Sequence, residues 1–164
     1  MPQKIYRAIQ TAIVFTDSGG DYTLTLQNLP LDSGRLSAQV DRGTGSKPVR
    51  YKWKSVIQWA TNPVAKDYVE IMFGESGGVL DPDANLGTAD VAVAVGDAPN
   101  LCRIGLVKTQ SIIGNVNNIA SGVVTILDRY FQVGVFNRST TMGLRDTANT
   151  SRIIFTPMPD EIQT

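Results

Sequence analysis

Apolar and polar residues alternate with period two along most of this chain, and that period predicts strands. Thr11–Thr16 and Tyr22–Gln27 flank Asp17-Ser18-Gly19-Gly20-Asp21, which reads as a hairpin turn with glycines free to take positive φ. In the second segment Tyr22, Leu24 and Leu26 share one face, and Thr23, Thr25 and Gln27 the other. Gly34–Val40 alternates as well, with Leu36, Ala38 and Val40 against Arg35, Ser37 and Gln39. The clearest strand is Val49–Ala60. Val49, Tyr51, Trp53, Ser55, Ile57 and Trp59 fall on one face; Arg50, Lys52, Lys54, Val56 and Gln58 fall on the other. The first face needs a core, and the second needs water or a charged partner.

Asn62-Pro63 turns the chain into Asp67–Phe73, with Val69, Ile71 and Phe73 inward. Residues 74–99 read as a Gly- and Pro-containing loop, with a short helical turn allowed over Thr88–Val95 by Asp90 and the small apolar residues after it. Strands resume at Leu101–Lys108, Ile119–Leu127, Arg129–Phe136 and Arg152–Thr156. Pro157 and Pro159 argue against helix or central strand in the closing segment. About nine strands follow, with no long helix, no fixed-period repeat and no linker. The expectation is one all-β domain over residues 1–164, an antiparallel sandwich or barrel. Residues 1–10 would be an N-terminal arm and residues 157–164 a C-terminal tail.

Composition narrows the chemistry. The chain has 164 residues, one Cys and no His. That removes Ser-His-Asp and Cys-His nucleophile systems, HExxH zinc sites and a disulfide framework within the chain. No catalytic residue and no cofactor is expected. Cys102 reads as a small buried hydrophobe in a strand. The longest apolar run near the N-terminus, Ala12–Phe15, is too short for a signal peptide or membrane helix, so a soluble protein with no membrane partner is expected. The sequons at Asn137 and Asn149 then read as coincidence.

Charge is balanced only in the sum. Fifteen Lys and Arg face fifteen Asp and Glu, which argues against a nucleic-acid partner. Residues 35–66 nevertheless carry a net +6, and residues 67–97 a net −7. Either Arg50, Lys52 and Lys54 lie across from Asp67 and Glu70 and compensate them, or the molecule has a bipolar surface suited to docking.

Several motifs carry the residue types of known sites. Asp81, Asp83 and Asn85 occupy the first ligand positions of a calcium loop. Leu86 and Ala92 then fail the Gly and Glu requirements, so a turn is the better reading. Gly43-Thr44-Gly45-Ser46-Lys47-Pro48 lacks phosphate-loop spacing and precedes a strand. Trp53 and Trp59 share the parity of the core face, which favours packing over sugar binding. Arg50-Tyr51-Lys52-Trp53-Lys54 interleaves cations and aromatics, but alternation sends the two sets to opposite faces, unlike a single-strand nucleic-acid platform.

The segments Tyr51-Lys52-Trp53, Thr61-Asn62-Pro63, Asp67–Ile71, Ala120-Ser121-Gly122, Asp128-Arg129-Tyr130 and Phe155–Glu161 together resemble small structural proteins of tailed-bacteriophage virions. The resemblance covers roughly residues 36–163. It implies a jelly-roll-like sandwich acting without enzymatic activity as a head decoration, or cement, protein. Such a protein is made in the host cytoplasm and sits on the capsid surface. Its partners would be the major capsid protein and copies of itself, as a trimer. Arg50, Lys52, Lys54, Met158 and Pro159 are the residues expected at the interface. A tail or head–tail connector component and a carbohydrate- or receptor-binding module are the alternatives.

Overall fold

Four phenylalanines from four strands join two sheets. The structure, a computed structural model, describes residues 11–45, 47–77, 89–94, 101–110 and 115–158. Among these residues it contains eleven strands and no helix: β1 Ile13–Thr16, β2 Tyr22–Thr23, β3 Ser33–Leu36, β4 Val40–Asp41, β5 Arg50–Ile57, β6 Tyr68–Ser76, β7 Val91–Ala94, β8 Cys102–Lys108, β9 Asn118–Thr125, β10 Tyr130–Asn137 and β11 Arg152–Met158. One sheet runs β2-β1-β11-β5-β9. The other runs β7-β3-β10-β6-β8, with β4 also paired to β10. The expected all-β sandwich is what forms, and every ladder is antiparallel except β1–β2.

Phe15 on β1 and Phe155 on β11 come from one sheet, and Phe73 on β6 and Phe131 on β10 from the other. Their ring centroids lie 5.6–6.3 Å apart in five pairings. Edge-to-face and tilted aromatic contacts of this kind add to the burial of the rings themselves. Trp59, Leu24, Leu26, Ile57, Ile71, Val133, Val135, Leu144 and Ile153 are fully buried in the same cluster. Of the inward set read for Val49–Ala60, Tyr51, Trp53, Ser55, Ile57 and Trp59 are buried, and Val49 is half-buried. Val56 is buried too, although it has the opposite parity. In register it lies between Ile119 of β9 and Arg152 of β11, whose side chains rise on either side of it.

The structure corrects the sequence reading at five places. Thr11–Thr16 and Tyr22–Gln27 do not form a hairpin. β2 runs parallel to β1, pairing Phe15 with Tyr22 and Thr16 with Thr23. The intervening carboxylates redirect the chain: Asp21 accepts a hydrogen bond from Val14 N at 2.8 Å, and Asp17 accepts from Leu26 N and Gln27 N at 2.6 and 2.7 Å. Gly34–Val40 is not one strand but β3 and β4, separated where Ala38 N donates to Thr23 O. Residues 91–94 are a strand rather than helix, because Val91 and Val93 alternate with alanines and pair with β3. Cys102 is in a strand as expected but exposed, at one end of edge strand β8, beyond a register shift opposite Ile71 and Met72.

The fifth correction concerns the tail. β11 continues through Pro157 to Met158, so the closing segment does not begin at residue 157. Proline is tolerated there because β1 accompanies β11 only along Ile153–Phe155. Beyond that point, among the described residues, β5 alone lies beside it. Residues 1–10 and 159–164, the rest of the expected arm and tail, lie outside the described residues. So do Pro159 and the calcium candidates Asp81, Asp83 and Asn85.

Candidate functional site

Sheet register gathers the cationic side chains. On β5, Arg50, Lys52 and Lys54 are exposed while Tyr51, Trp53 and Ser55 between them are buried. In antiparallel pairs, opposite residues point to the same face. Met158, Thr156, Ile154 and Arg152 of β11 therefore stand beside Arg50, Lys52, Lys54 and Val56. On the other side stand Thr125, Val123, Ser121 and Ile119 of β9. The outer face of the five-stranded sheet thus carries Arg50, Lys52, Lys54 and Arg152 among apolar Ile119, Val123, Ile154 and Met158. Val123 is 51% exposed and Ile119 40% exposed. None of the four cations forms a salt bridge among the described residues. Of the expected interface residues, Arg50, Lys52, Lys54 and Met158 are brought together here.

The carboxylates expected to neutralise them lie elsewhere. β5 and β6 belong to different sheets, so Asp67 and Glu70 cannot face Arg50, Lys52 or Lys54. Glu70 instead takes Arg103 at 3.0 Å and Arg138 at 2.8 Å. Burial pushes its pKa up, but these two guanidinium bonds outweigh that and hold it below the usual range. Asp67, 1% exposed, accepts bonds from Val64 N, Thr140 N and Thr141 Oγ1. Burial again raises its pKa, and the hydrogen bonds led by Thr141 bring it below normal. Asp90 follows the same pattern: burial is overcome by Arg35, at 2.7 Å, and by Thr25. Glu75 accepts from Leu127 N and Asp128 N at 2.6 and 3.0 Å. The described carboxylates of the acidic stretch therefore hold the protein's own loops and strands. The expected compensation of β5 by β6 is overturned. Within the basic stretch, Arg35 is paired with Asp90 and Arg42 is bound to carbonyls, whereas Arg50, Lys52 and Lys54 meet no carboxylate among the described residues.

A cavity of about 650 Å³ opens beside Thr11, Asp21, Tyr22, Asp41, Arg42 and Tyr51. Its charged groups are engaged. Arg129 grips Asp41 with two 2.7 Å bonds; with help from Gly43 N, this lowers the Asp41 pKa to about 2. Arg42 donates to the carbonyls of Pro48, Ile126 and Asp128 and lies 5.7 Å over the Tyr51 ring. Asp21 holds Val14 N. Among the described residues no group of His, Cys, Asp or Glu is placed to hold a metal ion, and no helix is long and apolar enough to cross a membrane.

Both tryptophans are removed from ligand chemistry by burial, Trp53 at 2% and Trp59 at 0% exposure. Neither offers a ring face to a sugar. The basic–aromatic interleaving of residues 50–54 is divided between face and core, as the alternation implied. Asn137 is also fully buried, donating through Nδ2 to Leu29 O, Pro30 O and Met142 O, so that sequon is closed. Sequence reasoning missed Arg152, Val123 and Ile119 as parts of the face. Arg152 is almost a hundred positions from β5, and only the β11–β5 register brings it alongside.

No family model, curated protein or solved structure matches this chain.

Proposed function

We propose that the protein is a non-enzymatic virion component, a capsid decoration protein that docks through the outer face of its five-stranded sheet. One observation carries this reading: Arg50, Lys52, Lys54 and Arg152 share a face with exposed apolar residues and have no carboxylate partner among the described residues, while the described acids of residues 67–97 are engaged elsewhere. A cationic face with an apolar background suits a negatively charged protein surface. Charge would set orientation and encounter rate, and buried Val123, Ile119 and Met158 would add affinity. The strand order β1-β11-β5-β9 over β3-β10-β6-β8 supports a jelly-roll reading of the sandwich, an architecture used in viral capsids. The partner, the major capsid protein, comes from the sequence resemblance to tailed-phage head components. Repetition of one modest contact over a symmetric shell, with self-association into trimers, would supply avidity.

The test is the copy number in purified particles of the phage that encodes the chain, measured by quantitative mass spectrometry. A decoration protein is present in hundreds of copies. A dozen copies or fewer would assign it to a connector or tail, and absence would overturn a virion role.

A further inference from the structure

The edge of the same sheet has an unfinished ladder. β9 pairs only with β5 and carries neither charge nor proline over Asn118–Thr125. Sheet edges are normally protected by charge, proline, bulges or a covering element. In an antiparallel strand, N–H and C=O groups of successive residues point alternately to one neighbour and the other. Ile119 shows which residues point outward. Its N–H is taken by Gln110 Oε1 at 3.4 Å, and its C=O accepts from Gln110 Nε2 at 2.8 Å. One side-chain amide thus imitates the first pair of a missing strand. By alternation, Ser121, Val123 and Thr125 present their N–H and C=O groups on the same edge. β8, the edge strand of the other sheet, comes close to β9 without pairing with it, and among the described residues no hydrogen-bond partner meets these groups.

We infer that β9 accepts an extended acidic segment of a partner protein as an added strand. This deepens the docking reading above and rests on it only for the choice of surface. The open ladder specifies a strand. The side chains specify its chemistry. A strand beside β9 lies about 10 Å from β5, two interstrand spacings. Lysine side chains from residues 52 and 54 can lean across Ser121 and Val123 toward carboxylates on the incoming strand. Apolar residues between those carboxylates would face the opposite side or cover Val123. A second copy paired β9 to β9 would bring two cationic faces edge to edge on one surface. The charge therefore favours an acidic segment over self-pairing.

The probe is a fluorescein-labelled peptide of alternating Glu and Val, with an alternating Lys and Val peptide as control. Binding is read by anisotropy on the purified full chain. Val123→Pro removes one outward donor and no bond to β5, and edge strands tolerate such a proline. Val123→Ala keeps the donor. The Glu–Val peptide should bind, more weakly as salt rises, and the Lys–Val peptide should not. Val123→Pro and Lys52→Glu/Lys54→Glu should each weaken binding about tenfold or more, and Val123→Ala much less. On peptide addition to the wild-type chain, hydrogen exchange should slow at Ser121, Val123 and Thr125. Unchanged exchange at those amides, or unchanged affinity in a folded Val123→Pro chain, overturns the inference. Dimerisation through β9 without peptide would also overturn it, in favour of self-pairing. Because the assay uses no particles, a chain absent from virions but binding the peptide would sink the capsid role alone. A chain abundant in virions but blind to the peptide would sink strand addition alone.

Discussion

Trp53 shows how single residues set this fold. Its indole lies between two glycines, Gly105 on β8 and Gly122 on β9. A Cβ on Gly105 would come within 2.3 Å of Trp53 Cη2, and one on Gly122 within 2.7 Å of Nε1. These glycines are required for close approach, since the neighbouring atoms belong to a rigid buried ring. Gly105→Ala should therefore cost about 1–3 kcal/mol through overpacking, measured as a shift of the urea midpoint with an unchanged slope. In sequence, the parity of Trp53 announced its burial. Nothing there announced the two glycines as its partners, because both lie more than fifty positions away: Gly122 meets it through the β5–β9 register, and Gly105 through the packing of one sheet on the other.

At the scale of elements, alternation was legible wherever a strand lay between a core and solvent. The exposed cations of β5 and the buried residues between them were readable in this way, and so were Val69, Ile71 and Phe73 of β6. Alternation failed where tertiary partners decide. β2 resembles a hairpin arm until Asp17 and Asp21 hold neighbouring amides and turn it parallel to β1. β7 is too short to show its period, and Asp90 looked like a helix start. Instead Asp90 clamps Arg35 of β3 and Thr25 across loops. That clamp anchors the chain at the residue just before β7. Asp90→Ala should leave the global core intact while amide exchange in Val91–Ala94 speeds up at least several-fold. Exchange unchanged in β7 would show that the strand is held by its ladder alone.

Across the molecule, the zero net charge conceals a division of labour. The acids of residues 67–97 that are described serve as internal hydrogen-bond acceptors, whereas the cations of β5 and β11 meet no carboxylate among the described residues. The first half of that division has a pH signature. Asp67, Glu70 and Asp90 all have pKa values lowered by their partners, and Asp41 is lowered to about 2. A group with a lowered folded pKa stabilises fully above its unfolded value and loses that contribution as pH falls through the folded one. With no histidine in the chain, no side chain of ordinary pKa titrates near neutrality. The melting temperature should thus be flat between about pH 6 and 8 and fall progressively from about pH 4 toward 2. A step near pH 6.5 would contradict this assignment.

The second half of the division is the central claim, that the open cationic face is the surface by which the protein joins the virion. The most direct measurement is incorporation of a chain carrying Arg50→Glu, Lys52→Glu and Lys54→Glu, in competition with wild type, into particles lacking the native copy. All three side chains are exposed, so the variant should melt close to wild type. The account predicts that particles recover wild-type protein and exclude the reversed-charge chain. Equal incorporation of the two, with the variant folded, would contradict it.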